Sequence, residues 1–97
     1  MRPIHCIVNP ASRDHTCGKK WPMIKEKLES KGFEVNTLHT KHVGHAGELA
    51  WDLRNKNVQG LVVAVGGDGT VHEVASALRG SDIPVSYTHL RAHETVV

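Results

Sequence analysis

Leu61-Val62-Val63-Ala64-Val65-Gly66-Gly67-Asp68-Gly69-Thr70 is the stretch on which the fold turns. Leu61 to Val65 are apolar throughout and mostly β-branched. A run without polar alternation reads as a strand buried on both faces, as in a parallel sheet. It breaks abruptly into a glycine-rich turn. Beyond the turn, Val71, Val74, Ala75 and Leu78 recur at i, i+3, i+4 and i+7, which predicts a helix with one apolar face. Glu73 is expected in its first turn, where a carboxylate suits the positive helix end.

Strand, glycine turn and helix together make the architecture of an anion site. Gly66, Gly67 and Gly69 let backbone approach a ligand closely. The amides of the turn and of the helix N-terminus would point at a phosphate. Thr70 is placed to cap the helix or to donate its hydroxyl. Asp68 is the odd residue, because a carboxylate repels phosphate unless a cation mediates, and Mg²⁺ with its waters is the natural mediator. The same residues also suit a tight βα turn with an Asp that only caps. The spacing is not that of a P-loop, since no lysine follows the glycines.

Working outward, Ile4 to Val8 read as a first strand, stopped by Asn9-Pro10. Ala11 to Lys20 read as a polar loop, in which Arg13, Lys19 and Lys20 offer positive charge. Trp21, Ile24, Leu28 and Lys31 share one helical face, with Pro22 in the first turn and Gly32 as the C-cap. Phe33 to Leu38 form a second strand ending in His39-Thr40. After Gly44-His45-Ala46-Gly47, a helix carries Ala46, Leu49, Ala50 and Leu53 on one face, and Asn55-Lys56-Asn57 closes it. Ile83-Pro84-Val85 open a fourth strand. The order βαβαβα with right-handed crossovers gives an α/β fold with a three-layer parallel sheet. Ligands gather at the carboxyl ends of such strands, where Asn9, Thr40 and Gly66 converge from three of them. Trp21, Trp51, Leu28 and Leu53 are expected in the core.

Composition excludes several classes. The 97 residues carry a formal net charge of +2, small and scattered, so no nucleic-acid partner is expected. Cys6 sits in an apolar strand and Cys17 in a polar segment, with no CxxC spacing, which argues against a disulfide framework and for a reducing, cytoplasmic setting. Met1-Arg2-Pro3 leads straight into an apolar strand, so no leader is expected. No apolar run approaches the ~20 residues of a membrane span. His39, His42 and His45 could cluster near Thr40, a weak basis for a zinc site.

Gly66-Gly67-Asp68-Gly69-Thr70, followed by Val71-His72-Glu73-Val74, resembles the GGDGT signature of the diacylglycerol kinase catalytic domain. That superfamily includes sphingosine kinases, bacterial lipid kinases and, more distantly, NAD kinases. Asn9-Pro10 resembles the family's NPxSG turn, and Thr40 followed by Gly44-His45-Ala46 resembles the segment before its second helix. The resemblance covers residues 1 to about 85. It implies a Rossmann-like nucleotide-binding domain, here incomplete. It also implies phosphoryl transfer from ATP, with Mg²⁺, to a diacylglycerol- or sphingosine-like lipid hydroxyl. The expected setting is lipid metabolism and phospholipid biosynthesis, with the whole protein cytoplasmic and peripheral to the membrane that holds its lipid.

The nucleotide-binding residues that the resemblance implies are Asn9, Pro10, Ala11, Ser12, Arg13, Thr40, Gly66, Gly67, Asp68, Gly69, Thr70, Val71 and His72. Asp68 would order Mg²⁺ through water. The family's general base and direct metal ligands lie in a second, mainly β domain, so this chain is expected to carry no direct metal ligand and to be inactive alone. A face covered by that domain would be exposed here and would allow a homodimer. Two departures stand out: Arg13 replaces a glycine of the family turn, and His72 replaces an asparagine. A NAD kinase-like fragment is the alternative enzyme, against which stand Asn9-Pro10 and Glu73. A non-catalytic nucleotide-binding module is a reading from another class.

Residues 86–97, beginning Ser86-Tyr87-Thr88-His89-Leu90-Arg91, depart from the pattern. They resemble a translated transposase adapter used in sequencing libraries and are set apart from the domain of residues 1–85. Val85, Tyr87 and Thr88 nonetheless tolerate strand geometry. His89 and His93 fall at a helical metal-ligand spacing that is accidental on this reading.

Overall fold

The computed structural model describes residues 3–10, 16–90 and 95–96. Ala11, Ser12, Arg13, His15 and His93 lie outside them. The elements in chain order are β1 (Pro3–Val8), α1 (Thr16–Ser30), β2 (Glu34–His39), α2 (His45–Asn55), β3 (Leu61–Val65), α3 (Asp68–Leu78), β4 (Val85–Leu90) and β5 (Thr95–Val96). The sheet order is β2-β1-β3-β4-β5. The first four strands run parallel, and β5 pairs antiparallel with β4. The fold is α/β and Rossmann-like, as expected.

Three layers follow from which face each strand residue takes. Ile7, Val62 and Ala64 pack with Ala46, Ala50 and Leu53 of α2 and with Val74 and Leu78 of α3. Ile4, Cys6, Val8 and Val65 pack on the other face against Trp21, with Ile24 and Leu28 of α1 beside them. β1 and β3 are thus covered on both sides, which is why Leu61–Val65 shows no polar alternation. His5 is the polar exception in β1. Its Nε2 meets the Gln59 carbonyl at 2.9 Å, and its Nδ1 accepts from the Asn36 amide at 3.2 Å. Burial pushes the Cys6 thiol up from 9.0 to about 12.

The helix ends show local chemistry at work. At the end of α1, Gly32 takes φ +94°, its N–H donates to Glu29, and the Phe33 N–H donates to Leu28. That double bond is a Schellman closure, and the Leu28–Phe33 pair seals it in the core. α2 closes the same way with a non-glycine residue: Asn57 takes φ +51°, and Val58 N–H donates back to Leu53.

Several sequence expectations are corrected. The polar segment ending at Lys20 is helical from Thr16, so Pro22 sits inside α1 rather than in its first turn. There it removes one helical hydrogen bond, a change that costs about 3 kcal/mol in a helix interior. Lys31 lies beyond α1 and is exposed rather than part of its apolar face. On α3 the buried stripe runs through Thr70, Val74 and Leu78, with Val71 and Ala77 beside it, leaving Ala75 exposed. α3 begins at Asp68, so Asp68 is its first-turn carboxylate and Glu73 falls in the second turn. Trp51 is not in the core: it is 52% exposed, on the side of α2 away from Ala50 and Leu53. Its ring carries the Arg54 guanidinium at 5.1 Å, and Arg54 donates to the Ala77 and Arg79 carbonyls at the end of α3. β4 begins at Val85, and residues 86–90 occupy the fourth strand position, which places His89 on a strand and not on a helix.

Candidate functional site

The register of the sheet assembles the site. Val8 pairs with His39 on one side and with Val65 on the other, so β1, β2 and β3 end side by side. The next residue of two strands prolongs the ladder: Thr40 N–H donates to Val8 at 2.8 Å, and Asn9 N–H donates to Val65 at 3.0 Å. The chain leaves β1 toward β2 on one side and returns to β3 on the other. This makes the crevice between β1 and β3 the switch point, where doubly wound sheets bind ligands.

A cavity of about 500 Å³ opens there, lined by Asn9, Thr40, Lys41, His42, Val43, Ala46, Gly67, Gly69, Thr70 and Glu73. One wall is backbone. Gly67 supplies the N-cap position of α3 without a side-chain cap, and the first helical bond is Val71 N–H to Gly67. The first-turn amides ahead of that bond have no intrahelical acceptor and suit an anion. A Cβ on Gly69 would meet nothing within 4 Å, whereas one on Gly66 would sit 2.8 Å from Thr70 Oγ1 and 3.3 Å from Asn9 Cβ. Gly66 therefore lets the turn fold tightly over Thr70. Thr70 is buried, and its Oγ1 accepts from the Asn9 amide at 3.3 Å, joining β1 to the start of α3. Thr70 accordingly sits inside the first turn rather than capping it; Gly67 is the N-cap.

The other wall is side chain. The Lys41 N–H donates to His45 Nδ1 at 2.9 Å, and the His45 ring stacks on His42 at 4.6 Å between centroids. His42 Nδ1 donates to the Val43 carbonyl at 3.0 Å, and its Nε2 lies 3.8 Å from Glu48. Glu73 reaches across from α3 to accept from the Gly47 N–H at 3.4 Å.

Of the residues singled out in the sequence, Asn9, Thr40, Gly67, Gly69 and Thr70 share this cavity, with Gly66 directly behind it. Asp68 is exposed at the first helical position and does not line the wall. Val71 packs toward the core, and His72 is exposed on α3. Pro10 is half-buried in the turn after β1. Lys19 and Lys20 belong to α1 and are not among the lining residues. Lys41, His42 and Glu73 were missed as lining residues. The first two carry no motif and arrive only through the pairing of β2 with β1. Glu73 was legible as a helix carboxylate but not as a bond to a neighbouring helix.

Among the described residues, no group of three or more His, Cys, Asp or Glu side chains is placed to hold a metal. This removes the zinc idea at His39, His42 and His45: His45 Nδ1 accepts from the Lys41 N–H, which leaves the proton on Nε2, and His39 is exposed at the end of β2. The donors that are present suit an anion: backbone amides, two threonines and one lysine around a half-open cavity. Among the described residues, no helix is long and apolar enough to cross a membrane.

The family model of the diacylglycerol kinase catalytic domain matches residues 3–89. A diacylglycerol kinase of Bacillus subtilis (strain 168) is 31% identical over 96 residues, covering 92% of this chain and 31% of that protein. A diacylglycerol kinase of Staphylococcus saprophyticus is 35% identical over 72 residues, covering 74% of this chain and 23% of that protein. A solved diacylglycerol kinase structure from Bacillus anthracis str. Sterne superposes with a TM-score of 0.72 at 27% identity, over 91% of this chain and 32% of that one. The chain spans less than a third of the length of these relatives. With a matching fold, a family match over nearly its whole length and relatives that share its sequence, the chain belongs to the diacylglycerol kinase catalytic domain family, of which it is an N-terminal portion.

Proposed function

We propose that this chain is the nucleotide-binding portion of an ATP-dependent lipid kinase, and that residues 1–85 form the domain while residues 86–97 are adapter-derived. The observation that carries the nucleotide reading is the meeting of Asn9, Thr40, Gly67, Gly69 and Thr70 around one cavity at the strand ends. ATP with Mg²⁺, when bound, supplies the γ-phosphoryl group for a diacylglycerol- or sphingosine-like hydroxyl. Phosphoryl transfer asks a protein mainly for positioning and charge neutralisation. The amides of Gly67, Gly69 and Thr70 would hold phosphate oxygens. Asn9 holds the Thr70 hydroxyl, and through it the first turn of α3, against β1. Asp68, a single exposed carboxylate on the turn, suits a cation held through water rather than directly. On this reading the chain alone transfers no phosphate. The lipid would be met at a membrane surface by the whole protein.

Isothermal titration of ATP–Mg²⁺ into the chain and into Asp68→Ala tests binding. Weaker binding to the variant is expected, and no heat for the parent at about millimolar ATP overturns the reading. On the complete protein, a phosphorylation assay offering diacylglycerol, sphingosine and NAD side by side decides the acceptor. Turnover of NAD alone would replace the lipid reading with a NAD kinase.

A further inference from the structure

The cavity presents a charge problem that the glycine turn does not solve. Glu73 is a carboxylate on its wall. Amides alone would have to outweigh it for a polyphosphate to settle there. The titratable lining residues are Lys41, His42 and Glu73. Glu73 bonds the Gly47 amide, and His42 faces Glu48. Lys41 is exposed, and among the described residues no carboxylate lies within ion-pair distance of its ammonium. Its backbone is nevertheless held, through the bond of its N–H to His45 and the stacking of His45 on His42. A fixed backbone beneath a mobile four-carbon stem suits a point charge that follows a phosphate group.

We propose that Lys41 is a phosphate-contacting residue of this site, facing the glycine-turn amides from the opposite wall and neutralising the terminal phosphates of a polyphosphate. The His42–His45 stack positions the loop that carries it. This inference rests on the nucleotide reading above and adds to it the residue that makes the cavity electrostatically acceptable to a polyanion.

The test titrates inorganic tripolyphosphate, ATP and adenosine into the 97-residue chain and into Lys41→Ala, Lys41→Arg and Lys31→Ala, with circular dichroism to confirm folding. Lys31 is an exposed lysine outside the cavity and controls for general charge. Lys41→Ala is expected to weaken tripolyphosphate and ATP about tenfold, with Lys41→Arg restoring most of the loss and Lys31→Ala matching the parent. Binding of tripolyphosphate as well as ATP assigns the contact to phosphate, and ATP without tripolyphosphate would place it elsewhere on the nucleotide and overturn the inference. Unchanged binding in Lys41→Ala, or an equal loss in Lys31→Ala, overturns the role of Lys41 and leaves the nucleotide reading intact. Absence of all binding to the parent overturns both.

Discussion

The two walls of the cavity are built on different principles. The β3–α3 wall is backbone: glycines without side chains, helix amides, and Thr70 buried beneath them. The β2–α2 wall is side chain: an exposed lysine, two stacked imidazoles, and Val43 at 96% exposure. Backbone walls are rigid because moving them breaks the sheet ladder and the helix start together. Side-chain walls can change residue by residue without disturbing the fold. Specificity and charge can therefore be tuned on one side while the anion-holding geometry is kept on the other.

The comparison can be broken first at Gly66. Gly66→Ala puts a Cβ at 2.8 Å from Thr70 Oγ1, and overpacking of this kind costs about 1–3 kcal/mol. Urea unfolding should show that loss, with ATP binding falling below detection because the first turn of α3 moves. Unchanged stability would mean the backbone wall is softer than described.

β1 carries the junction of both walls, and Cys6 reports on it. Its thiol is protonated in the folded chain up to about 12, whereas the unfolded thiol ionises above 9.0. The unfolded state then binds fewer protons, so stability contributed by Cys6 is whole below pH about 9 and is lost as pH rises toward about 12. Denaturation midpoints of the parent and Cys6→Ala should converge over that window. Parallel pH profiles would show that Cys6 is open to solvent.

A smaller effect is expected at Thr70. Thr70→Val removes the acceptor of the Asn9 amide and should cost about 1 kcal/mol, lowering ATP affinity more than adenosine affinity. An equal loss for both ligands would separate the Asn9–Thr70 bond from the phosphate wall. Smallest is Gly69→Ala. Its Cβ meets nothing within 4 Å, and alanine favours a helical position by up to about 1 kcal/mol over glycine. The thermal midpoint should rise slightly while ATP binding weakens if the methyl enters the phosphate space; unweakened binding would place the phosphates away from Gly69.

Fold and site were legible to different depths. Leu61–Val65, Gly32 and the Ala46–Leu53 face announced their structure because burial on both faces, positive φ and helical period are local constraints. Thr16–Lys20 did not, because an internal proline and glycine hid a helix that Trp21 packing holds in place. The α3 stripe runs through Thr70, Val74 and Leu78 rather than Ala75, because the rotation of the helix about its axis is set by its packing on α2 and the sheet and not by apolarity alone. In the site, the glycine turn and the strand-end positions Asn9 and Thr40 were readable. The places of Lys41, His42 and Glu73 were not, because they depend on how separate elements meet.

By itself, the sequence determined the α/β class, the parallel central strand, the glycine turn and the family resemblance, since each resides in contiguous residues whose allowed backbone and burial are few. Only the tertiary structure decided which residues face one another across the cavity. The pairing of Val8 with both His39 and Val65 brings residues from three strand ends within reach of one ligand, and register is a property of the sheet rather than of any one strand.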